Sequence, residues 1–272
     1  MVSGRFTRKG VFVKKNVVGI LFFIISFISS SADVSSWEDI TPTLTIKTSD
    51  KFVKAPAGVV VYDKPVVQGD LSLAMPYGLY AGIWQSQAWN AKQDSIANEI
   101  DYYVGIEHKL FGYTYGLELK YWDRTALFEG PANDVWVIKE RIRGETLSSK
   151  QNPSEDISFQ TAITPFAEFL EFFPGRDSTF EGGIIISAGY TIELKTHEKS
   201  KCKWILEPIV GYDDGIFKKD TAVIFRGRSA IVWQISKNLQ MVLPEYTFVE
   251  PTSNNDSRRT INMISAGMTW KM

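Results

Sequence analysis

From Val66 to Trp122, apolar and polar side chains alternate with a period of two through four consecutive segments. That spacing belongs to β-strands with one dry and one wet face. Leu71 and Leu73 alternate with Asp70 and Ser72; after Pro76-Tyr77-Gly78 the order resumes with Leu79, Ala81 and Ile83 against Tyr80, Gly82 and Trp84. In Glu99 to Lys109, Ile100, Tyr102, Val104 and Ile106 oppose Glu99, Asp101, Glu107 and Lys109. In Tyr113 to Trp122 the dry side is Tyr113, Tyr115, Leu117, Leu119 and Tyr121, with Thr114, Gly116, Glu118 and Lys120 opposite. The dry side covers either a water-soluble core or lipid. Tyrosines at both ends of an aliphatic centre suit the two edges of a bilayer, where an amphipathic ring is at home.

The start of the chain favours export. Arg5, Arg8, Lys9, Lys14 and Lys15 precede an almost wholly apolar run, Val17 to Ile28, and the small residues Ser30-Ser31-Ala32. These are the parts of a signal peptide over residues 1–32, cleaved near Ala32, and the run is short for a membrane helix. Without it, 25 basic and 31 acidic side chains remain, a net charge of −6, which argues against nucleic acid as a partner. The only cysteine, Cys202, has no intramolecular partner. Beyond residue 33 no apolar run reaches the roughly 18 residues of a membrane helix. If this chain enters a membrane it must therefore close its strands into a barrel, since only helices and barrels satisfy every backbone group in lipid.

The expected architecture is all-β: a single closed antiparallel transmembrane β-barrel over residues 33–272, an up-and-down meander of about 12 strands (roughly 10–14). Strands are expected at Thr43–Lys54, weakly, then at Val66–Ala74, Leu79–Gln85, Glu99–Lys109 and Tyr113–Trp122. Asp123 to Asp156 reads as one long external excursion, with Val135–Ile142 extending above the membrane or folding back into the lumen. Ile157–Ile163 and Phe166–Phe173 follow, joined through Thr164-Pro165. The remaining strands are Gly182–Leu194, Lys203–Asp213, Thr221–Ile235, a poorly alternating Gln240–Phe248, and Thr260–Trp270. An even count leaves both termini in the periplasm, with tight turns there and longer loops outside. The C-terminal strand has the amphipathic face that barrel-insertion machinery receives, although it ends on Met272 and not on an aromatic residue.

The wet faces are where function is to be sought. Arg226 and Arg228 point inward, across from Glu99, Asp101, Glu107, Glu118, Glu181, Glu193 and Glu207; with Lys120 they make a candidate pore lining. Opposed acidic and basic stripes set a transverse field that selects polar solutes. The alternative is that these groups pair inside a plugged lumen and hold its shape. Tyr102, Tyr113, Tyr121, Tyr190, Trp204, Trp233 and Trp270 are the candidate membrane-interface aromatics. His108 and His197 sit in no metal-ligand spacing, and no Gly-x-Ser-x-Gly turn is present, so neither metal, cofactor nor enzymatic activity is expected.

Gln68-Gly69-Asp70-Leu71-Ser72, Gly78-Leu79-Tyr80-Ala81-Gly82-Ile83-Trp84-Gln85-Ser86, Asn98-Glu99-Ile100-Asp101-Tyr102-Tyr103-Val104-Gly105 and Tyr121-Trp122 resemble the bacterial outer-membrane porin family known as TorF. There a Gly-Phe/Leu-Tyr-x-Gly-x-Trp-x-Ser strand and a Glu-Ile-Asp strand recur at similar spacing; here Asp123 replaces the usual aromatic-Pro after Trp122. The resemblance covers Val66 to Trp122 and implies a porin in the outer membrane of a Gram-negative bacterium, passing small polar solutes passively. Two other classes stay open: a closed structural or adhesive barrel without transport, and a periplasmic all-β binding module whose aliphatics fill a sandwich core. Outer-membrane lipid is the expected partner under the first two, and a homo-oligomer is compatible with them, although no segment declares a subunit interface.

Overall fold

The computed structural model describes residues 40–57, 59–89, 98–123, 134–150, 160–175, 181–196, 200–216, 220–252 and 260–272, without the side chains of Ala55 and Lys150. The expected signal peptide, Met1 to Ala32, lies outside the described residues. The strands are β1 (Thr41–Ser49), β2 (Phe52–Lys54), β3 (Val59–Tyr62), β4 (Val66–Ala74), β5 (Leu79–Ala88), β6 (Glu99–Leu110), β7 (Tyr113–Asp123) and β8 (Val135–Arg143). They continue as β9 (Leu147–Lys150), β10 (Gln160–Pro174), β11 (Gly183–Lys195), β12 (Cys202–Asp213), β13 (Ala222–Gln234), β14 (Leu239–Pro251) and β15 (Ile261–Lys271).

Pairing alone closes the wall. The order runs β1, β4, β5, β6, β7, β8, β10, β11, β12, β13, β14, β15 and returns from β15 to β1, every neighbour antiparallel. This is the expected twelve-stranded barrel. Closure leaves no sheet edge with unpaired amides and carbonyls. The first strand's start and the last strand's end lie side by side, Thr43 opposite Lys271, so both chain ends emerge at one rim, the terminal rim. The tight turns cluster there. Phe111 (φ 51°) and Gly112 (φ 84°) form a two-residue hairpin turn of the left-handed kind that matches strand twist.

The dry faces point out. Ile83, Ile186, Trp233, Ile264 and Trp270 are among the exposed large apolar side chains, with Ile264 58% exposed although it sits in mid-strand. No second sheet covers them among the described residues, so the sandwich expectation fails: the aliphatics lie on the outside of a single closed sheet. Near the far rim, Tyr102, Tyr121 and Trp136 stand in one register row across β6, β7 and β8, and the Tyr121 and Trp136 ring centroids are 4.7 Å apart. Near the terminal rim, Tyr113, Trp204, Trp233 and Trp270 lie on the same outer face. Tyr190 also points out, but it stands well inside β11, opposite Pro165, and belongs to neither ring of aromatics.

Two expectations are corrected together. Val135–Arg143 is not part of an external excursion: it is the full wall strand β8, paired to β7 from Trp122 to Thr114 and to β10 from Pro174 to Phe166. Thr164-Pro165 is not a turn: it lies inside the continuous fifteen-residue strand β10. Proline has no amide to give a ladder, so the partner strand is the one that breaks there. β8 ends at Arg143 and β9 resumes at Leu147, bridged by the Gly144 N–H donating to the Pro165 carbonyl at 2.9 Å and by Thr146 against Thr164 at 2.8 Å. One strand gained and one lost leave the count and the direction of the chain unchanged. The weak alternation of Gln240–Phe248 likewise has a cause, an extra residue between Val242 and Glu245 that shifts β14 against both neighbours.

The first strand also ends earlier than expected. β1 stops at Ser49, and the residues between it and β4 turn back as the hairpin β2–β3, which pairs only with itself. Its apolar side chains meet the inner face of the wall on several sides. Phe52, Val61 and Tyr62 pack with Val66, Trp84 and Ala88 of β4 and β5. Val53 and Val60 pack against Ala222, Ile224, Val249 and Ile261 of β13, β14 and β15. Ala57 and Val59 meet Trp122, Val135, Leu170, Phe172 and Ile185 of β7, β8, β10 and β11. All of these wall residues lie in the far half of their strands, so the hairpin fills the far half of the lumen as a largely apolar plug. The β12–β13 connection reinforces it: Asp213 accepts from the amides of Gly215 (2.8 Å) and Ile216 (3.0 Å), seating Ile216, fully buried, in the same cluster.

Candidate functional site in the barrel interior

Below the plug the inner face turns polar and encloses a cavity of about 460 Å³. Hairpin residues Phe52, Lys54 and Pro56 roof it, and Asp101, Lys120, Glu207, Arg226, Arg228 and Glu245 are among its lining. Strand alternation delivers these charges, since every second residue of each wall strand points inward. β6 and β13 stand six places apart in the ring of twelve, so Glu99 and Asp101 lie diametrically across from Arg226 and Arg228.

On the acidic side, Glu99 and Asp101 are 1% and 3% exposed. Lys54 of the hairpin forms a salt bridge with Glu99, and Lys120 stands 3.9 Å from Asp101 and 4.0 Å from Glu118. The Tyr80 hydroxyl donates to Glu118 (3.1 Å) and the Tyr103 hydroxyl to Asp70 (2.7 Å). On the opposite side Arg228 is bracketed: its Nη1 donates to Glu207 at 2.9 Å, and its Nε and Nη2 donate to Glu245 at 3.0 and 2.9 Å. Lys47 of β1 also pairs with Glu245. Arg226 approaches Glu168 (4.0 Å), which also meets Arg141 (3.4 Å) and Lys139 (3.6 Å). Glu107 pairs with Arg143 beside the terminal rim, away from the cavity.

The candidate lining residues are thus split in role. Asp101, Lys120, Glu207, Arg226 and Arg228 border the cavity; Glu99 is covered by Lys54; Glu118 is tied to Tyr80 and Lys120; Glu107 stands at the rim. The opposed stripes exist, but neither is a bare row of like charge, because each is laced with counter-ions from adjacent strands. Lys47, Lys54, Lys139, Arg141, Glu168 and Glu245 were not in the expected set. Lys139 and Arg141 stand on the inner face of β8 within Lys139-Glu140-Arg141-Ile142-Arg143, where the outward Glu140 interrupts the apolar alternation. His108 is exposed on the outer face opposite Tyr115, and His197 lies outside the described residues.

No family model matches the chain, and no curated protein matches it either. The Val66 to Trp122 likeness to TorF therefore stays a resemblance. Among solved structures, a KdgM porin in complex with disordered oligogalacturonate is 10% identical with a TM-score of 0.45, covering 85% of this chain and 99% of the other. The NanC porin is 10% identical with a TM-score of 0.48, over 84% and 100% of the two chains. The translocator domain of the autotransporter NalP from Neisseria meningitidis is 9% identical with a TM-score of 0.39, over 96% and 98%. The likeness is architectural and assigns no activity.

The TorF-like residues do have a structural meaning of their own. In register, Tyr80 faces Gly105 and Gly82 faces Tyr103 across β5 and β6. A Cβ on Gly82 would sit 2.4 Å from the Tyr103 ring, and one on Gly105 would sit 2.3 Å from the Tyr80 ring. Each tyrosine thus lies over the bare backbone of the opposite strand, which aims both hydroxyls at the Glu118 and Asp70 carboxylates. Two reciprocal glycine–tyrosine joints are what Gly-x-Tyr-x-Gly followed by Tyr-Tyr-x-Gly encodes here.

Proposed function

We propose that the chain is an outer-membrane barrel, exported by its N-terminal signal and anchored in lipid by its apolar outer face, whose lumen is a narrow conduit for small polar solutes shut at the far end by its own hairpin. One observation carries this reading: a charged chamber of about 460 Å³ lies directly beneath a hairpin that is packed on the wall yet paired only with itself. A permanent structural core would be expected to continue the wall ladder, whereas a hairpin whose strands join no wall strand can leave as a unit. The far rim then faces the exterior and the terminal rim the periplasm, and the C-terminal strand β15 is the segment presented to the insertion machinery.

In planar bilayers the protein is expected to show low, intermittent conductance. Arg226→Ala combined with Arg228→Ala, which removes two cations from the chamber, takes the Arg228 partner from Glu207 and leaves Glu245 with Lys47 alone, shifts the reversal potential toward cation selectivity. Unchanged selectivity overturns the conduit. Complete silence in bilayers, with no liposome swelling even after the hairpin is removed, identifies instead a closed structural barrel.

A further inference from the structure

We propose that the hairpin's Lys54 occupies a binding site for organic ammonium groups, and that primary and quaternary ammonium ions are the ligand class that replaces it when the hairpin leaves. This rests on the gated-conduit reading and specifies what the conduit recognises.

The Lys54 Nζ lies 3.7 Å from the centroid of the Trp122 ring, 5.1 Å from that of Phe52 and 5.6 Å from that of Trp84. It is paired with Glu99, whose side chain is fully buried, while the lysine's own side chain is 11% exposed. Two residues along the same strand, Asp101 is 3% exposed, borders the same cavity, and keeps its Oδ1 without a hydrogen-bond partner. The arrangement is an ammonium held between aromatic faces over buried carboxylates. Four of these five groups, Trp84, Trp122, Glu99 and Asp101, belong to the wall and stay when the hairpin moves.

Physical chemistry then restricts what can follow. Carboxylates in a partly dry pocket are better held with a cation than without one, so the vacated place favours a replacement cation. A strongly hydrated alkali ion gains little from an aromatic face, whereas an alkylammonium is held by the ring quadrupole; a quaternary one sheds little hydration to reach it, and a primary one replaces its water with the carboxylates. The cage therefore prefers ammonium over sodium, by about tenfold from the strength of a partly desolvated cation–π contact.

The test uses the full chain in detergent micelles. The unfolding midpoint of Lys54→Ala is measured with methylammonium, tetramethylammonium and sodium chlorides at equal ionic strength. Both ammonium ions are expected to raise the midpoint at concentrations about tenfold below those at which sodium does. In Lys54→Ala with Trp122→Leu the preference disappears. Equal effects of sodium and ammonium, or a preference that survives Trp122→Leu, overturn the site. Should Lys54→Ala not fold, a barrel whose hairpin is replaced by a short turn serves instead: tetramethylammonium blocks its current and Trp122→Leu relieves the block. An ammonium-blind barrel whose current still rises on hairpin removal refutes the site and leaves the gate standing. An ammonium preference in a barrel that conducts equally with and without its hairpin does the reverse.

Discussion

Replacing Asp50–Pro65 with an Asn-Gly turn is expected to raise single-channel conductance severalfold and to abolish the closed intervals. Ser49 and Val66 already face each other in register, so a two-residue left-handed turn joins β1 to β4 without moving either strand. The strand-to-strand ladders of the wall are kept, because β2 and β3 pair with no wall strand; the backbone bonds lost are those at the base of the hairpin, from the Asp50 N–H to the Ile264 carbonyl and from the Trp89 N–H to the Pro65 carbonyl. What is lost besides is burial, together with the Lys54 counter-ion of Glu99. Phe52, Val53 and the valines of β3 no longer cover Trp122, Phe172, Ile224 and Val249, at about 1.5–3 kcal/mol for each large side chain returned to water. The variant is therefore less heat-resistant but still a barrel, and its lumen is bounded by the wall alone. Bilayer recordings and the temperature of the heat-modifiable gel shift check both halves. A conductance equal to that of the unmodified protein contradicts the hairpin's role as the obstruction.

Gly82→Val is expected to prevent assembly of a heat-stable barrel, and Gly105→Val to act alike. A side chain at Gly82 meets not only the Tyr103 ring but the Leu71 carbonyl oxygen at 2.7 Å, and one at Gly105 meets the Leu117 carbonyl at 2.8 Å. A ring tip swings aside, whereas a backbone carbonyl engaged in the ladder does not, so β4, β5 and β6 must separate or β5 must slip. We expect a cost of about 3 kcal/mol or more for such overpacking, with loss of the Tyr103–Asp70 hydrogen bond in addition. Gly69, where an added Cβ meets nothing within 4 Å, is the control: Gly69→Ala leaves the gel shift unchanged. Equal stability of Gly82→Val and Gly69→Ala contradicts the joint.

The sequence carried the wall more legibly than its contents. Alternation in β6, β7, β11, β12 and β13 gave inward and outward faces directly, because a strand with water on one side and apolar surroundings on the other has one readable period. β8 was harder, since Glu140 is exposed on its outer face and Glu171 stands on the outer face of β10 beside it, so charge there does not mark the inside. The hairpin was harder still. Val59-Val60-Val61 has no wet side, because wall residues from opposite sides of the barrel surround it, and a segment buried on both faces shows no alternation. The interior pairings were out of reach because they join distant parts of the chain: Glu245 meets Lys47 only once the ring closes β15 on β1, and it faces Lys47 and Arg228 together only because the extra residue in β14 shifts its register.

The outward and inward faces of β6 carry the whole account, and a nitroxide scan from Ile100 to Ile106 in lipid bilayers tests them most directly. Labels at Ile100, Tyr102, Val104 and Ile106 should collide with oxygen dissolved in the hydrocarbon and be shielded from an aqueous nickel chelate, while labels at Asp101 and Tyr103 should be shielded from the lipid. Even-numbered positions that are closed to oxygen, or that collide freely with the nickel chelate, would contradict a barrel that turns its aliphatic face to lipid.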